Sequence, residues 1–241
     1  MEAQIQAVRQ RLADARAITA LTGAGVSAES GVPTFRGPEG LWRNYRAEEL
    51  ATPEAFSRDP QLVWAWYNWR RELIAKTVPN AAHYALATLE RRTPHFTLIT
   101  QNVDGLHRQA RSGRVIELHG NIWTVRCTRC GQISPNFQVP IPILPHCEAA
   151  QCGGLLRPHI VWFGEALDPE DLDQAVAAAR SCEVILVIGT SGVVQPAASL
   201  AGAAKATGAF VVEVNPTDTA QSELADVALR GLAAEILPQL L

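Results

Sequence analysis

Short runs of apolar residues, each about five residues long, recur along the chain and predict buried β-strands. They occupy residues 17–21, 96–100, 115–118, 184–188 and 210–214. Uniformly apolar strands of this length are typical of a parallel sheet covered on both faces. Helical patterns at residues 83–91, 169–180 and 195–206 separate several of them, after an amphipathic first helix. This alternation predicts an α/β fold with a Rossmann-like, doubly wound parallel sheet.

Two regions depart from the alternation, and we interpret them as insertions that together build a smaller domain. Residues 39–81 are rich in Trp, Arg and Glu and look helical, whereas residues 122–158 hold four of the five cysteines and many prolines. We therefore predict one domain from residues 1–38, 82–121 and 159–241, and a second domain from the two insertions.

Composition and charge narrow the class of protein. Hydrophobic residues make up 47% and the formal net charge is −3, which disfavours disorder and general electrostatic binding to nucleic acid. Residues 184–204 lack charge and are long enough to span a bilayer, but a glycine-rich turn from Gly189 to Gly192 interrupts them. The N-terminus lacks the features of a signal peptide. We therefore predict a cytoplasmic protein that contacts neither membrane nor nucleic acid directly.

The spacing of four cysteines predicts a structural zinc site. Cys127 and Cys130 form one close pair, and Cys147 and Cys152 form a second. Two such pairs separated by a loop are typical of a four-thiolate zinc site, which is closed and therefore structural. Coincidental cysteines or two disulfides are the alternative, which a cytoplasmic location disfavours. The fifth, Cys182, precedes an apolar run and is predicted to lie in the core.

A glycine-rich turn follows the first predicted strand. Residues 23–28, GAGVSA, match the dinucleotide-binding fingerprint with Ala at the third glycine position. A simple strand-to-helix turn is the alternative. A dehydrogenase carries an acidic residue about 20 positions further on to hold the ribose, but residues 40–46 contain none. The sequence thus favours dinucleotide binding and disfavours hydride transfer, and the polar segment 29–37 is long enough to fold over a ligand.

Polar residues also follow the other predicted strands. The segment QNVDGLH occupies residues 101–107, His119 follows the third strand, and Gly189-Thr190-Ser191 and Asn215 follow later strands. The carboxyl ends of parallel strands meet at one edge of a sheet, where open α/β sheets bind ligands. His119 is therefore a candidate general base, since histidine titrates near neutrality. A purely structural histidine is the alternative.

Together these motifs resemble the sirtuin family of NAD-dependent protein lysine deacylases, over nearly the whole chain. The resemblance rests on GAGVSAESGVPTFRG at 23–37, QNVDGLH at 101–107, HG at 119–120, the cysteine quartet, PHIVWFGE at 158–165, GTS at 189–191 and VNP at 214–216. It implies that NAD is consumed as a co-substrate, and that protein lysines lose an acyl group. The implied products are nicotinamide, O-acyl-ADP-ribose and free lysine.

The resemblance also implies roles for particular residues. His119 is expected to act as the general base on the hydroxyls of the nicotinamide ribose. The residues expected to bind NAD are Gly23, Ala24, Gly25, Thr34, Phe35, Arg36, Trp42, Gln101, Asn102, Val103, Asp104, Gly189, Thr190, Ser191, Asn215, Pro216, Thr217 and Ala233. The residues expected to pair with the substrate peptide as a strand are Val161, Trp162, Phe163 and Gly164.

The helical insertion contains a candidate receptor for the acyl group. Tyr67 and Arg70 are three residues apart and share a helix face, where a hydroxyl and a guanidinium could bind a carboxylate. Spacing alone favours an aromatic core stripe with solvated arginines. However, the pair resembles the Tyr-x-x-Arg of the sirtuin subclass that removes succinyl, malonyl and glutaryl groups, and Ala51 resembles the alanine that opens its acyl pocket. We therefore expect acidic acyl groups to be preferred, with deacetylation also catalysed, and the neighbouring basic pair Arg70 and Arg71 to influence the choice.

Other functions stay open at this point. They are an NAD-linked oxidoreductase, a zinc-ribbon module that binds nucleic acid or protein, an enzyme that is mainly a deacetylase, and a protein mono-ADP-ribosyltransferase. The last shares the first step of the deacylase reaction, so the sequence does not exclude it. We expect a monomer whose partners are acylated lysine side chains of proteins, with NAD and one structural zinc ion as cofactors.

Overall fold

The fold is that of a computed structural model, which describes residues 1–33, 41–42 and 45–241, with only the backbone described at 41–42. Its strands are β1 (Ala17–Thr22), β2 (Leu41–Trp42), β3 (Tyr45–Arg46), β4 (His95–Thr100), β5 (Val115–Glu117), β6 (Gly120–Cys127), β7 (Ile133–Pro135), β8 (Leu156–Ile160), β9 (Val184–Ile188), β10 (Phe210–Val214) and β11 (Val227–Leu229). Its α-helices are α1 (Glu2–Asp14), α2 (Gly25–Ala28), α3 (Ala47–Leu50), α4 (Pro53–Arg58), α5 (Pro60–Ile74), α6 (Ala81–Arg92), α7 (Leu106–Gln109), α8 (Pro169–Ser181), α9 (Ser199–Ala206) and α10 (Ala233–Ile236), followed by a 3₁₀ helix, Leu237–Leu240.

A six-stranded sheet forms the centre of the larger part of the molecule. Its strand order is β11-β10-β9-β1-β4-β5, and every neighbouring pair is parallel. Numbered by their order along the chain, these strands follow the 3-2-1-4-5-6 arrangement of a dinucleotide-binding fold, whose ligand crevice lies where the order reverses. That point is the boundary between β1 and β9. The predicted fold class is confirmed, and β11, only three residues long, is a strand that the apolar pattern did not predict.

Helices cover both faces of this sheet because side chains along each strand alternate between the faces. In β1, Ile18 belongs to a cluster with α1 and α6, whereas Leu21 belongs to a cluster with α8 and α9. Alanines of α8 and α9, such as Ala175 and Ala204, are fully buried and allow close packing on the second face. The predicted helix at 195–206 begins later than expected, at Ser199, because residues 195–198 form a turn.

The two insertions pack on each other around a separate apolar cluster. Helices α4 and α5 begin at capping side chains: Thr52 Oγ1 accepts from Ala55 N at 3.0 Å, and Asp59 Oδ1 accepts from Leu62 N at 2.9 Å. The cluster combines side chains of α5 with those of a three-stranded antiparallel sheet of order β7-β6-β8. The exact domain boundaries stay a prediction.

Arg71 joins α5 to this small sheet. It is 1% exposed, donates to the carbonyl oxygens of Ile122 at 2.5 Å and Asn136 at 2.6 Å, and lies over the Trp123 ring at 4.9 Å. The expectation that Arg71 shares in selecting the substrate is therefore wrong, because its guanidinium is engaged by backbone of the cysteine-rich module. In the part of the chain that the structure describes, no helix is long and apolar enough to cross a membrane.

Candidate functional site

A cavity of about 880 Å3 lies at the carboxyl edge of the parallel sheet, facing the small domain. The predicted site residues that line it are Gly23, Ala24, Gly25, Ala51, Tyr67, Arg70, Gln101, Asn102, Val103, His119, Val161, Trp162, Phe163, Gly164, Gly189, Thr190 and Ser191. The cavity thus brings together residues expected to bind NAD, residues expected to bind the peptide, and the candidate base.

Other predicted NAD-binding residues lie away from the cavity wall. Asp104, Asn215, Pro216, Thr217 and Ala233 do not line it. Asn215 Nδ2 nevertheless donates to Thr190 O at 2.8 Å, which places Asn215 beside the loop after β9. Ala233 is buried at the start of α10.

Part of the predicted NAD loop falls outside the described structure. Thr34, Phe35 and Arg36 lie outside the described residues, as does the side chain of Trp42. The roles predicted for these four residues stay predictions.

The crevice floor is formed by two loops in backbone contact. Gly25 N donates to Gly189 O at 2.8 Å, and a Cβ at Gly25 would lie 2.7 Å from the Gly189 Cα. A Cβ at Gly23 would meet Gly189 O at 2.8 Å, so neither position has room for a side chain. Gly189 itself has a φ of +59°, which favours glycine. The two strand-end loops therefore meet at the switch point, where a dinucleotide-binding fold places its pyrophosphate.

The amide side chains of Gln101 and Asn102, which follow β4, donate hydrogen bonds to both glycine loops and to the helix α2. Asn102 Nδ2 donates to Gly23 O at 3.0 Å and to Ser27 Oγ at 3.2 Å, while Gln101 Nε2 donates to Thr190 Oγ1 at 3.1 Å. Asn102 is 8% exposed, so its orientation is fixed by these bonds. The predicted segment after β4 therefore lies against both glycine loops.

His119 lies on the cavity wall at the end of the strand β5. Its Nδ1 lies 3.0 Å from Gln101 O, which requires Nδ1 to carry the proton and leaves Nε2 as the basic nitrogen. Burial lowers the pKa of His119, and the hydrogen bond to Gln101 opposes that shift only in part. A neutral imidazole with a free Nε2 is the form in which a general base acts.

Two fully buried histidines lie behind the site, and the sequence patterns assigned neither a role. The rings of His83 and His107 are 4.8 Å apart between centroids. His83 Nε2 lies 3.3 Å from Ser27 Oγ, and His107 Nε2 lies 3.0 Å from Thr22 Oγ1. Because Ser27 also holds Asn102, the pair supports the cavity wall from inside. Burial lowers the pKa of His83 to about 4 and that of His107 well below its ordinary value.

This pair predicts that the protein loses stability in weak acid. Between a folded pKa of about 4 and an ordinary value of 6.5, the unfolded state binds a proton at His83 that the folded state does not. The contribution of neutral His83 to the free energy of unfolding is therefore fully present above about pH 6.5, and it is lost as the pH decreases towards 4. From about pH 7 to pH 5 we expect a loss of about 2 kcal/mol from His83 alone.

Calorimetric unfolding of wild type, His83→Gln and His95→Gln at several pH values measures this loss. His83→Gln should flatten the pH dependence, and the exposed His95 provides the matched control that should keep the wild-type slope. An unchanged slope in His83→Gln would contradict the assignment.

Tyr67 and Arg70 line the end of the cavity formed by the helix α5. They are 2% and 6% exposed, so Arg70 is not a solvated arginine on a core helix. Arg70 lies over the Trp66 ring at 5.5 Å, and Asp104, itself 4% exposed, is a nearby opposite charge. Burial raises the pKa of Tyr67 to about 12, which keeps its hydroxyl protonated. A protonated hydroxyl and a guanidinium together form a donor set for a carboxylate.

The segment 161–164 lines the cavity and is hydrogen-bonded to both predicted domains. Val161 N donates to His119 O at 3.0 Å, and Phe163 N donates to Ala51 O at 2.9 Å. The segment therefore connects His119, the candidate base, to Ala51, the residue expected to open the acyl pocket.

Arg157 and Glu165 hold this segment, and neither was predicted. Two Arg157 nitrogens donate to the two Glu165 oxygens at 2.6 and 2.8 Å, and Glu165 Oε2 also accepts from Trp162 N at 2.9 Å. Burial acts to raise the pKa of Glu165, but the bonds from Arg157 and Trp162 outweigh it and hold the pKa low. Arg157 directly precedes the PHIVWFGE motif and Glu165 is its last residue, yet only the folded chain pairs them.

The four predicted zinc ligands converge at the far end of the small sheet. Their sulfur atoms lie within 4.8 Å of one another, with Cys127–Cys152 at 3.6 Å and Cys130–Cys147 at 3.8 Å. A tetrahedral zinc with Zn–S bonds of about 2.3 Å places sulfurs about 3.8 Å apart, so the cluster fits the ion. Four thiolates leave no position for substrate, and zinc bound here stabilises structure. Cys182 is buried in a different cluster, as predicted.

The fold and the site define a class of protein: a dinucleotide-binding α/β fold with an inserted four-cysteine module and a cavity between them. A sequence model described as the Sir2 family matches residues 23–196. The chain belongs to the Sir2 family.

Curated relatives and solved structures agree with this assignment. The NAD-dependent protein deacylase of Aquifex aeolicus is 56% identical over 218 residues, covering 90% of each chain. NAD-dependent protein deacylase 2 of Pyrobaculum aerophilum is 53% identical over 237 residues, covering 97% of this chain and 93% of the relative. A Sir2 homologue in complex with NAD superposes with a TM-score of 0.92 at 49% identity, over 98% of this chain and 91% of that chain. A Sir2 complex with a p53 peptide and NAD+ superposes with a TM-score of 0.87 at 31% identity, over 98% and 96%.

Proposed function

We propose that this protein is an NAD-dependent protein lysine deacylase. One observation carries the proposal: a single cavity is lined by the glycine crevice at the β1–β9 switch point, by His119, the candidate base, and by segment 161–164, which is expected to bind the peptide. Relatives at more than half identity are named NAD-dependent protein deacylases, and Sir2 structures contain NAD or a peptide together with NAD, which supports the same activity here.

The proposed reaction assigns each group a task. The glycine loops hold the pyrophosphate, and Gln101 and Asn102 position the nicotinamide ribose. The acyl-lysine carbonyl oxygen forms a bond to the ribose anomeric carbon, while the bond to nicotinamide breaks and nicotinamide leaves with the electron pair. His119 Nε2 removes a proton from a ribose hydroxyl. The deprotonated ribose oxygen forms a bond to the acyl carbon, water adds to that carbon, and the carbon–nitrogen bond to lysine breaks. The lysine nitrogen leaves with the electron pair and takes up a proton, which gives free lysine and leaves the acyl group on the ribose as O-acyl-ADP-ribose.

Product analysis tests this proposal directly. The zinc-loaded protein is incubated with NAD and a panel of acyl-lysine peptides, and the products are identified by mass spectrometry. We expect nicotinamide, O-acyl-ADP-ribose and free lysine in equal amounts. Reduced nicotinamide cofactor would point to an oxidoreductase instead, and ADP-ribose attached to protein would point to a mono-ADP-ribosyltransferase.

We propose further that acidic acyl groups, succinyl and malonyl, are preferred, with acetyl also removed. Tyr67 and Arg70 support this preference because both are buried donors on the cavity wall. Ala51 lines the same cavity, and its small side chain favours an acyl group longer than acetyl.

Arg70→Met should remove the preference. Loss of a charge-assisted, bidentate contact costs about 1.5–3 kcal/mol, so kcat/KM for succinyl-lysine peptide should fall roughly 10- to 100-fold relative to acetyl-lysine peptide. Steady-state kinetics on both peptides provides the ratio. Arg92→Met, at an exposed arginine on α6, is the matched control and should keep the wild-type ratio. The proposal fails if Arg70→Met keeps it too.

We also infer acylated lysine side chains of proteins as partners, which Sir2 complexes with a p53 peptide support. The monomeric state, the cytoplasmic location and the absence of direct nucleic-acid binding stay predictions.

A further inference from the structure

The indole of Trp162 is built into the acyl end of the cavity. Its side chain is 3% exposed, and its Nε1–H donates to the Tyr67 hydroxyl oxygen at 2.8 Å. Both residues line the cavity, with Arg70 beside them. The predicted peptide-binding segment therefore touches the predicted acyl receptor through one hydrogen bond.

This bond decides what the Tyr67 hydroxyl can do. A phenol has one proton to donate and lone pairs to accept, and an indole N–H can only donate. With the indole as donor, the hydroxyl proton cannot point at Trp162 and must point elsewhere. No described residue accepts a hydrogen bond from the Tyr67 hydroxyl, so its proton is left for a group inside the cavity. A terminal carboxylate of an acyl chain is such an acceptor, whereas an acetyl methyl is not.

The indole is itself held in place from its other side. The Arg157 guanidinium lies over the Trp162 ring at 3.4 Å from the centroid, and the Phe56 ring packs at 5.3 Å. Arg157 is fixed in turn by its two bonds to Glu165, at 2.6 and 2.8 Å, and by Ile160 O at 2.9 Å. Because the Arg157 guanidinium is fixed by these hydrogen bonds, the Trp162 ring that stacks on it has little freedom to rotate.

We propose that Trp162 is a specificity-determining positioning residue, which orients the Tyr67 hydroxyl as a donor to acidic acyl groups. Arg157 and Glu165 hold the indole in the required orientation. The inference rests on the proposed acyl preference and adds a third residue to it: Arg70 supplies charge, Tyr67 supplies the proton, and Trp162 sets the direction of that proton. A substrate of this site is therefore an acyl-lysine whose acyl chain ends in a carboxylate.

A double-mutant cycle tests the proposal in the zinc-loaded, full-length protein. The variants are Trp162→Phe, which keeps an apolar ring and loses the N–H donor, Tyr67→Phe, and the two together. For each, kcat/KM is measured on succinyl-lysine and acetyl-lysine peptides of the same sequence, and the succinyl-to-acetyl ratio is compared. The acetyl peptide corrects for any change in how the backbone of segment 161–164 binds.

We expect each single variant to lower the ratio about tenfold, the effect of losing about one well-placed hydrogen bond to a charge. The loss should fall on KM for the succinyl peptide, because the contact is remote from the reacting carbonyl and is made equally in substrate and transition state. The double variant should have the ratio of Tyr67→Phe alone, since Trp162 acts through Tyr67.

Two results would overturn the inference while the acyl preference stands. The first is a succinyl-to-acetyl ratio in Trp162→Phe that equals the wild-type ratio. The second is a ratio in the double variant that falls about a hundredfold, because the effects of independent residues multiply. A wild-type enzyme that does not prefer the succinyl peptide overturns the acyl preference and this inference together. If Trp162→Phe does not fold, Arg157→Lys provides the test. It keeps the charge but loses the planar fork, and its ratio should fall about threefold; an unchanged ratio there overturns the proposal.

Discussion

His119→Ala should reduce kcat for deacylation by about 10²- to 10⁴-fold, the range expected for removal of a general base. The structure gives the physical reason. The Nδ1–H group of His119 donates to Gln101 O at 3.0 Å, which leaves Nε2 as the basic nitrogen. His119 also lies on the wall of the cavity that contains the glycine crevice. No described side chain on that wall duplicates the imidazole, because His119 is its only histidine. The rate at which acetyl-lysine peptide is converted to deacetylated peptide measures the loss.

The pH dependence of kcat/KM sharpens this expectation. A general base must be deprotonated, and burial lowers the pKa of His119 below 6.5, so the acid limb of the profile should lie below about pH 6.5 in wild type. His119→Ala should lose that limb, although the measurement needs a pH range in which the fold is stable. His95→Ala, at an exposed histidine, is the control. Full peptide turnover by His119→Ala would exclude the assignment.

Removing zinc should abolish activity and unfold the small antiparallel sheet. Structural four-thiolate sites hold zinc with an apparent free energy on the order of 10 kcal/mol, more than enough to decide whether a module of this size folds. Strands β6 and β8 connect the metal cluster to the active site: Cys127 pairs with Leu156 at one end, and Gly120 pairs with Ile160 at the other. His119 directly precedes Gly120 along the chain, and Val161 directly follows Ile160. Loss of the metal therefore loosens both the base and the peptide segment.

Metal analysis, circular dichroism and turnover after treatment with a strong chelator measure these effects. We expect about one zinc per chain before treatment, a lower Tm and negligible turnover after it, and recovery when zinc is restored. Cys147→Ser should purify with little zinc, whereas Cys182→Ala, which changes a buried cysteine outside the cluster, should keep one zinc per chain. A zinc-free protein with wild-type Tm and activity would show that the metal is dispensable.

Arg70 and Arg71 show what a sequence pattern can and cannot predict about the residues that contact the acyl group. Adjacent residues on a helix are rotated by about 100°, so the two arginines leave α5 in different directions. Arg70 lies on the cavity wall with Tyr67, and Arg71 is bonded to backbone of the cysteine-rich module. A helical period predicts which residues share a face, but not which neighbouring element that face meets.

The sequence by itself determined the parallel sheet, the zinc ligands and the polar residues at the strand ends. Each is encoded locally: uniformly apolar runs predict doubly covered strands, paired thiols predict a metal site, and chain order places strand ends at one edge. The tertiary structure alone decided the contacts between distant segments. Trp162 meets Tyr67 across 95 positions, and His83 meets His107 behind the cavity. Such pairs depend on how the two insertions and the helices pack, which no single stretch of the chain specifies. The direction of the Tyr67 hydroxyl, and with it the proposed choice of acyl group, therefore follows from the fold.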